Sequence, residues 1–190
     1  MADFRLLAGR NLLCIDLGRR YCGLAVRTSS LLGAQPYGLL EAAAGGGAAR
    51  SWTLRRHAPF GGGAAAAARF ATQRDALEAV LREQALGGVV LGMPYHADGG
   101  RSPECAAAER HAAELQAAWR GVPIVLWDES WSTRAAAGPR RRPKAGGGGG
   151  RRRGDAAWTH SAAACVVLAD VLAALQPHEA PAQLVVELLM

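Results

Sequence analysis

A regular alternation of helical and strand patterns in the second half of the chain limits its possible folds most. Apolar residues recur at helical spacing through residues 71–86, and a short apolar run follows at residues 89–91. A second helical segment opens at Ser102-Pro103 and ends near Trp119, before the apolar run 122–127. Buried strands that alternate with helices are typical of parallel strands covered by helices. The sequence therefore predicts an α/β fold.

The first half of the chain predicts a hairpin and one further strand. An apolar run ends at Asp16, and residues 19–26 predict a tight turn and a second strand. Either residues 35–40 or residues 51–56 supply the third strand. With the two later strands this gives a mixed five-stranded sheet flanked by helices. A last helix is predicted at about residues 156–175. Its sheet-facing side chains are predicted to be Ala162, Cys165, Val166, Ala169 and Leu172.

A chain of 190 residues is long enough for one ordinary domain. We expect this domain at residues 1–176, with a low-complexity insertion at about 42–70, a basic glycine-rich loop at 138–154 and a tail at 177–190. The sequence contains no apolar run of membrane-spanning length, so the expected compartment is cytoplasmic, with import into an organelle left open if the true start lies elsewhere. The four cysteines form no C-x-x-C pair, which favours reduced thiols over a zinc site.

The formal charge of +6 is concentrated in one short segment. Seven positive residues with no acid among them lie there, beside a run of glycines, and the rest of the chain is close to neutral. Such a segment fits a mobile arm that binds phosphates, and it fits a solvated loop about equally well. The positive residues are Arg140, Arg141, Arg142, Lys144, Arg151, Arg152 and Arg153.

Carboxylates stand at the ends of two predicted strands. Asp16 ends the first strand, and Asp128-Glu129 end the last one. Carboxylate oxygens suit hard divalent cations, and two such ions can activate a water and stabilise the leaving oxygen of a phosphodiester. Because side chains alternate along a strand, Glu129 is the better ligand candidate of the adjacent pair. Taken singly, each acid would also fit a turn or a helix cap.

Four segments of the chain match, in order, the motifs of a known family. Residues 14–26 are similar to D-x-G…G-[IL]-A-[VL], and residues 89–94 with Asp98-Gly99 are similar to V-V-G-[LM]-P…D-G. Residues 128–133 resemble D-E-R-x-[ST]-T, and residues 161–172 resemble the helix D-x-x-A-A-x-x-[IL]-L-Q-x-[FY]-L. These motifs are those of the YqgF/RuvX family, ribonuclease H-like homologues of Holliday-junction resolvases and pre-16S rRNA nucleases.

The resemblance implies a ribonuclease H-like fold and a metal site for Mg²⁺ or Mn²⁺. Its ligands would be Asp16, the residue at the Glu129 position and an acid on the last helix, with Asp128 as a further carboxylate. His160 stands where the family motif has that last acid, so we expect it in the site, where imidazole favours manganese. The nearest acid in sequence to His160 is Asp155, five residues upstream, which would need a different helix start to reach the site. The remaining candidate contacts to nucleic acid, besides the seven positive residues, are Arg19, Arg20, Ser132, Thr133 and Arg134.

The resemblance implies a metal-dependent endonuclease that acts on structured RNA in the maturation of the pre-16S rRNA 5′ end. A Holliday-junction-type resolvase acting on branched DNA is the first alternative. A binding protein without catalysis is the second, because His160 replaces a carboxylate. A D-x-G hairpin also opens the sugar-kinase and actin-like ATPases, but this chain is too short for their two lobes. Nucleic acid is the expected partner, a membrane is not, and both monomer and homodimer stay open.

Overall fold

The computed structural model describes residues 3–31, 33–43, 51–60, 67–96, 100–129 and 153–176. Within these ranges the chain forms a seven-stranded sheet in the order β5-β4-β3-β2-β1-β6-β7. The strands are β1 Leu12–Leu17, β2 Tyr21–Arg27, β3 Gln35–Ala42, β4 Trp52–Arg56, β5 Ala68–Phe70, β6 Gly88–Met93 and β7 Ile124–Asp128. The helices are α1 Gln73–Glu83, α2 Pro103–Ala118 and α3 Arg153–Leu175, and 3₁₀ turns lie at Phe4–Leu7 and Ala58–Phe60.

The sheet is mixed. Strands β1 to β5 form an antiparallel meander, whereas β6 and β7 run parallel to β1 and are joined through helices. This architecture confirms the predicted α/β, ribonuclease H-like class. The predicted number of five strands is wrong, because residues 35–42 and 52–56 are both strands and residues 68–70 add a seventh.

Residues 52–56 and 68–70, within the segment predicted as a low-complexity insertion at about 42–70, are strands of the sheet, and residues 51–56 are one of the two alternatives predicted for the third strand. Strand β4 pairs with β3 and β5, and Leu54 is fully buried. Trp52 and Phe70 pack against the same core, which stabilises both strands. Residues 44–50 and 61–66, which hold the Gly/Ala tracts, lie outside the described ranges.

Helices α1 and α2 cover one face of the sheet. Thr72 begins α1 through a capping box, in which its hydroxyl accepts a hydrogen bond from the Asp75 amide and the Asp75 carboxylate accepts one from the Thr72 amide. The apolar side chains of α1 and α2 join Leu13, Ile15 and Leu91 in the larger core cluster. This packing holds β1 and β6 side by side.

Helix α3 covers the opposite face. Val167, Leu168 and Val171 on α3 pack against Cys14 and Val90 in the second core cluster. The predicted inward face was rotated: Ala169 is exposed, and Cys165 and Val166 are only half-buried. Alanine, valine and leucine lie on all sides of this helix, so spacing alone did not mark the buried side. None of the helices in the described ranges is long and apolar enough to cross a lipid bilayer.

Candidate active site

Strand alternation places Asp16 and Glu129 on the same face of the sheet. Cys14, two residues before Asp16, packs in the cluster under α3, and Trp127, two residues before Glu129, packs against that cluster. Because side chains two residues apart on a strand share a face, both carboxylates point to the α3 side. They leave the sheet at the carboxyl ends of β1 and β7, two strands apart.

Gly92 on β6, between these two strands, makes room for the Glu129 carboxylate. A Cβ atom built on Gly92 would overlap Oε2 of Glu129 and lie 2.7 Å from its Cδ. The Glu129 amide donates a hydrogen bond of 3.1 Å to the Met93 carbonyl, which continues the pairing of β7 with β6 by one residue. The Glu129 side chain therefore lies over the backbone of Gly92, which has no side chain, and extends from β7 towards β1.

The environment of Glu129 disfavours its charge. Burial, and then the negative charges of Asp16 and Asp128, raise the pKa of the Glu129 carboxyl from 4.5 to about 8. The same mechanism acts on the neighbouring Cys14, whose thiol pKa is raised by burial and by the Asp16 and Glu129 carboxylates. Burial and the neighbouring carboxylates therefore favour the protonated form of Glu129 at neutral pH.

Asp128 differs from Glu129 in its position. Its side chain is exposed, and alternation directs it to the α1/α2 side, the face of Ile124 in the same strand. It still contributes charge that raises the pKa of Glu129. Of the adjacent pair, Glu129 is the one that the fold brings beside Asp16.

His160 on α3 contacts Asp16 directly. Its Nδ1 lies 3.1 Å from Oδ2 of Asp16, whose side chain is 11% exposed. The hydrogen bond to Asp16 raises the pKa of His160 above its ordinary value, although burial opposes this shift. The raised pKa favours the imidazolium, which donates through Nδ1 to the carboxylate. The Tyr21 ring lies beside the imidazole, with ring centroids 6.0 Å apart.

The backbone of α3 sits directly on a glycine of β2. Gly23 pairs with Asp16, and a Cβ atom on Gly23 would overlap the His160 carbonyl and lie 2.7 Å from the Ser161 amide nitrogen. The fully buried Ser161 hydroxyl donates a 2.6 Å hydrogen bond to the Gly38 carbonyl of β3. Sequence reasoning missed this docking, although a glycine in mid-strand is a signal of close backbone approach.

The donors present fit a divalent cation of the magnesium type. Within the described ranges no three His, Cys, Asp or Glu residues lie close enough together to form a complete metal cage. Magnesium, however, is usually held by one or two carboxylates, with water and substrate phosphate completing its shell. Asp16 and Glu129 are two such carboxylates, and the charge that raises the pKa of Glu129 is what a cation would neutralise. The hydrogen bond from His160 uses Oδ2 of Asp16, so Oδ1 is the oxygen of that carboxylate left for such an ion.

The predicted contacts to nucleic acid divide into those within the described residues and those outside them. Arg19 and Arg20 are exposed in the turn between β1 and β2, next to Asp16 in sequence. Arg153 is the first residue of α3. The others lie outside the described residues, namely Ser132, Thr133, Arg134, Arg140, Arg141, Arg142, Lys144, Arg151 and Arg152.

The sequence of the chain matches a family model over residues 47–174. The model is that of RuvX, described as Holliday junction resolvase. The chain belongs to the RuvX family. The matched range contains Glu129 and His160, and the hairpin with Asp16 precedes it.

Curated relatives in the RuvX family carry the name "Putative pre-16S rRNA nuclease". One from Paramagnetospirillum magneticum is 33% identical over 139 residues, which cover 71% of this chain and 73% of the relative. One from Sphingopyxis alaskensis is 43% identical over 67 residues, 35% of this chain and 43% of the relative. Another from Novosphingobium aromaticivorans is also matched over only 43% of its length. The chain thus spans less than half of these last two relatives.

Among solved structures, RuvC from Thermus thermophilus is similar over 87% of this chain and 96% of its own. The TM-score is 0.38 and the sequence identity 15%.

Replacing Glu129 by glutamine is expected to stabilise the metal-free protein at alkaline pH. The unfolded chain ionises Glu129 near pH 4.5 and the folded chain near pH 8, so the folding free energy weakens as pH rises between these values. Glutamine removes the buried charge, so its Tm with a chelator at pH 8.5 should exceed that of the wild type by about 5 °C, or about 2 kcal/mol. The two proteins should melt together at pH 4.5.

Millimolar Mg²⁺ or Mn²⁺ should raise the Tm of the wild type and not that of Glu129→Gln. Glu78→Gln is the matched control. Glu78 lies on α1, which covers the face of the sheet opposite to α3, and it makes a surface ion pair with Arg82. A wild type that is more stable than Glu129→Gln at pH 8.5 without metal would contradict the assigned charge environment.

Proposed function

We propose that the chain is a metal-dependent endonuclease that hydrolyses phosphodiester bonds in structured RNA, at the 5′ end of pre-16S rRNA. The observation that carries the proposal is the convergence of Asp16 and Glu129, from strands distant in sequence, on one face beside His160. Membership of the RuvX family supports the nuclease class, and the names of the relatives support both that class and the RNA substrate.

The residues of the site would act by binding, orientation and charge. A divalent ion held by Asp16 and Glu129 would supply a Lewis acid for the phosphate oxygens and lower the pKa of a bound water. His160 fixes the orientation of the Asp16 carboxylate through Nδ1. As an imidazolium it also carries an Nε2–H that can donate to a phosphate or leaving oxygen. Gly92 leaves the Glu129 carboxylate space to reach the ion.

The test is cleavage of two labelled substrates, a pre-16S rRNA 5′ precursor and a four-way DNA junction, each with Mg²⁺ and with Mn²⁺. We expect the RNA to be cut at a defined position in the presence of Mg²⁺ or Mn²⁺. Preferential cutting of the junction would instead support a resolvase acting on branched DNA, in keeping with the description of the RuvX family as Holliday junction resolvase. Neither substrate being cut under either metal would remove the enzymatic proposal.

The second candidate function is nucleic-acid binding without turnover. It is favoured by the contact of His160 with Asp16. The imidazolium of His160 binds one oxygen of the Asp16 carboxylate, and that oxygen is then not available to a metal ion. Binding of both substrates with no product, combined with no metal-induced rise in Tm, would support it. Removal of residues 138–154 should then abolish most of the salt dependence of binding.

A further inference from the structure

Three exposed arginines lie on the α3 side of the sheet. Two of them are on β4 and β5, the strands that α3 does not cover, and the third is in the β1–β2 turn. Helix α3 packs over β1, β2 and β3. Arg55 on β4 lies on the far side of β3, and its side chain is 58% exposed. Arg69 on β5 is exposed as well, and Arg20 in the β1–β2 turn is 52% exposed.

The register of the strands fixes the direction of these side chains. Tyr21 pairs with Glu41, Glu41 with Thr53, and Thr53 with Arg69, so the four side chains share one face. Trp52, Leu54 and Phe70, which alternate with them, pack into the core on the α1/α2 side. By the same alternation Arg55 stands on the α3 face, paired with Leu39.

The paired side chains of Tyr21, Glu41, Thr53 and Arg69 form a row across the sheet, and Tyr21 connects this row to the active site. Its ring lies beside the imidazole of His160, and the guanidinium of Arg20 lies 5.3 Å from the centre of the ring. From β2 to β5 the row spans about 14 Å at ~4.8 Å per strand, which corresponds to about four steps of ~3.4 Å along the axis of a duplex. The row therefore begins at the proposed cleavage site and leads away from it across rigid sheet.

The only acid in the row, Glu41, partly balances the arginines. Its carboxylate makes long ion pairs of 3.6 Å with Arg20 and 3.5 Å with Arg55. Exposed pairs of this length are weak, so both guanidinium groups can turn to a phosphate at little cost. Three arginines against one glutamate leave a positive surface.

We propose that Arg20, Arg55 and Arg69, with the Tyr21 ring, form a docking surface for the sugar-phosphate backbone of the nucleic acid. This surface, called here the arginine row, would hold the part of the substrate that flanks the cleaved bond on the β5 side. Arginine suits the task because its planar guanidinium donates two hydrogen bonds to a phosphate. The inference rests on the proposed function, since it takes the substrate to be nucleic acid bound at Asp16.

The test measures binding rather than cleavage. All variants carry Asp16→Asn and are titrated in EDTA with a labelled pre-16S rRNA 5′ precursor and a labelled four-way DNA junction, over a range of KCl. Arg55→Gln/Arg69→Gln should weaken binding about tenfold or more at 0.1 M KCl and reduce the slope of log Kd against log[KCl] by about 1.4 to 1.8. Loss with one substrate only would show which nucleic acid the arginine row accepts.

The matched control is Arg74→Gln/Arg110→Gln, which removes two exposed arginines from α1 and α2 on the other side of the sheet. Its slope should equal that of the parent. Glu41→Gln should change binding in the opposite direction, steepening the slope, because it removes the acid that competes with phosphate. Arg55→Lys/Arg69→Lys should recover most of the slope, which separates lost charge from a damaged fold.

Equal slopes for the arginine-row and control variants would overturn the inference. That outcome together with cleavage by the wild type would leave the proposed function standing. A reduced slope in the arginine-row variant, together with a wild type that never cleaves, would support the arginine row and remove the enzymatic proposal.

Discussion

Replacing Asp16 by asparagine is expected to lower the single-turnover rate of cleavage by about a thousandfold, or ~4 kcal/mol of transition-state stabilisation. Asparagine keeps the shape and can still accept a hydrogen bond from His160 Nδ1, so the fold should persist. What it removes is the negative charge that would hold the ion and that raises the pKa of His160. The rate should be measured with saturating enzyme in Mg²⁺ and in Mn²⁺.

Glu129→Gln is expected to lose activity to a similar extent, because it removes the second carboxylate of the pair. Glu78→Gln, on α1, should cleave at the wild-type rate. Asp16→Asn within threefold of the wild-type rate, in a protein with unchanged Tm, would show that chemistry occurs elsewhere on the chain.

Replacing Gly23 by alanine is expected to destabilise the protein by about 3 kcal/mol or more and to abolish cleavage. The added methyl group would overlap the His160 carbonyl of α3, and backbone cannot move aside as a flexible side chain can. The helix must shift away from β2, which breaks the contact between His160 and Asp16 and strains the Ser161 hydrogen bond to Gly38. Urea unfolding followed by circular dichroism measures the loss.

Gly87→Ala is the matched control for Gly23→Ala. A Cβ at Gly87 would meet only the flexible side chain of Arg10, at 3.7 Å or more, so stability should change by less than about 0.5 kcal/mol. Equal stability of both alanine variants would contradict the close seating of α3 on β2.

The carboxylates could be placed from the sequence because their positions depend on local rules. A buried strand was evident before Asp16, and alternation alone favoured Glu129 over Asp128, which the structure places on the other face. The apolar runs likewise predicted the parallel strands β6 and β7 within one or two residues at each end. Periodicity suffices where a strand or helix contrasts with its flanks.

Other features depend on contacts between distant segments and could not be read locally. The buried side of α3 was misassigned because its apolar residues surround the helix, and docking on Gly23 decides which side faces the sheet. Strand β4 is predicted only as an alternative to β3, and β5, whose Phe70 packs against the core, is not predicted because it follows a Gly/Ala tract. With β5 missing, no alignment of Arg69 with Tyr21 across the sheet could be foreseen.

Three glycines surround the Asp16 carboxylate, and together they define how the site can change. A methyl group at Gly18 would lie 2.5 Å from the Tyr21 carbonyl, one at Gly23 would strike α3, and one at Gly92 would strike Glu129. The carboxylates thus occupy space that side chains at these three positions would fill. Any larger residue at one of the glycines should lower the stability of the fold more than an isosteric exchange of one of the carboxylates does. A saturation scan read out by stability should therefore tolerate fewer residue types at the glycines than at the acids.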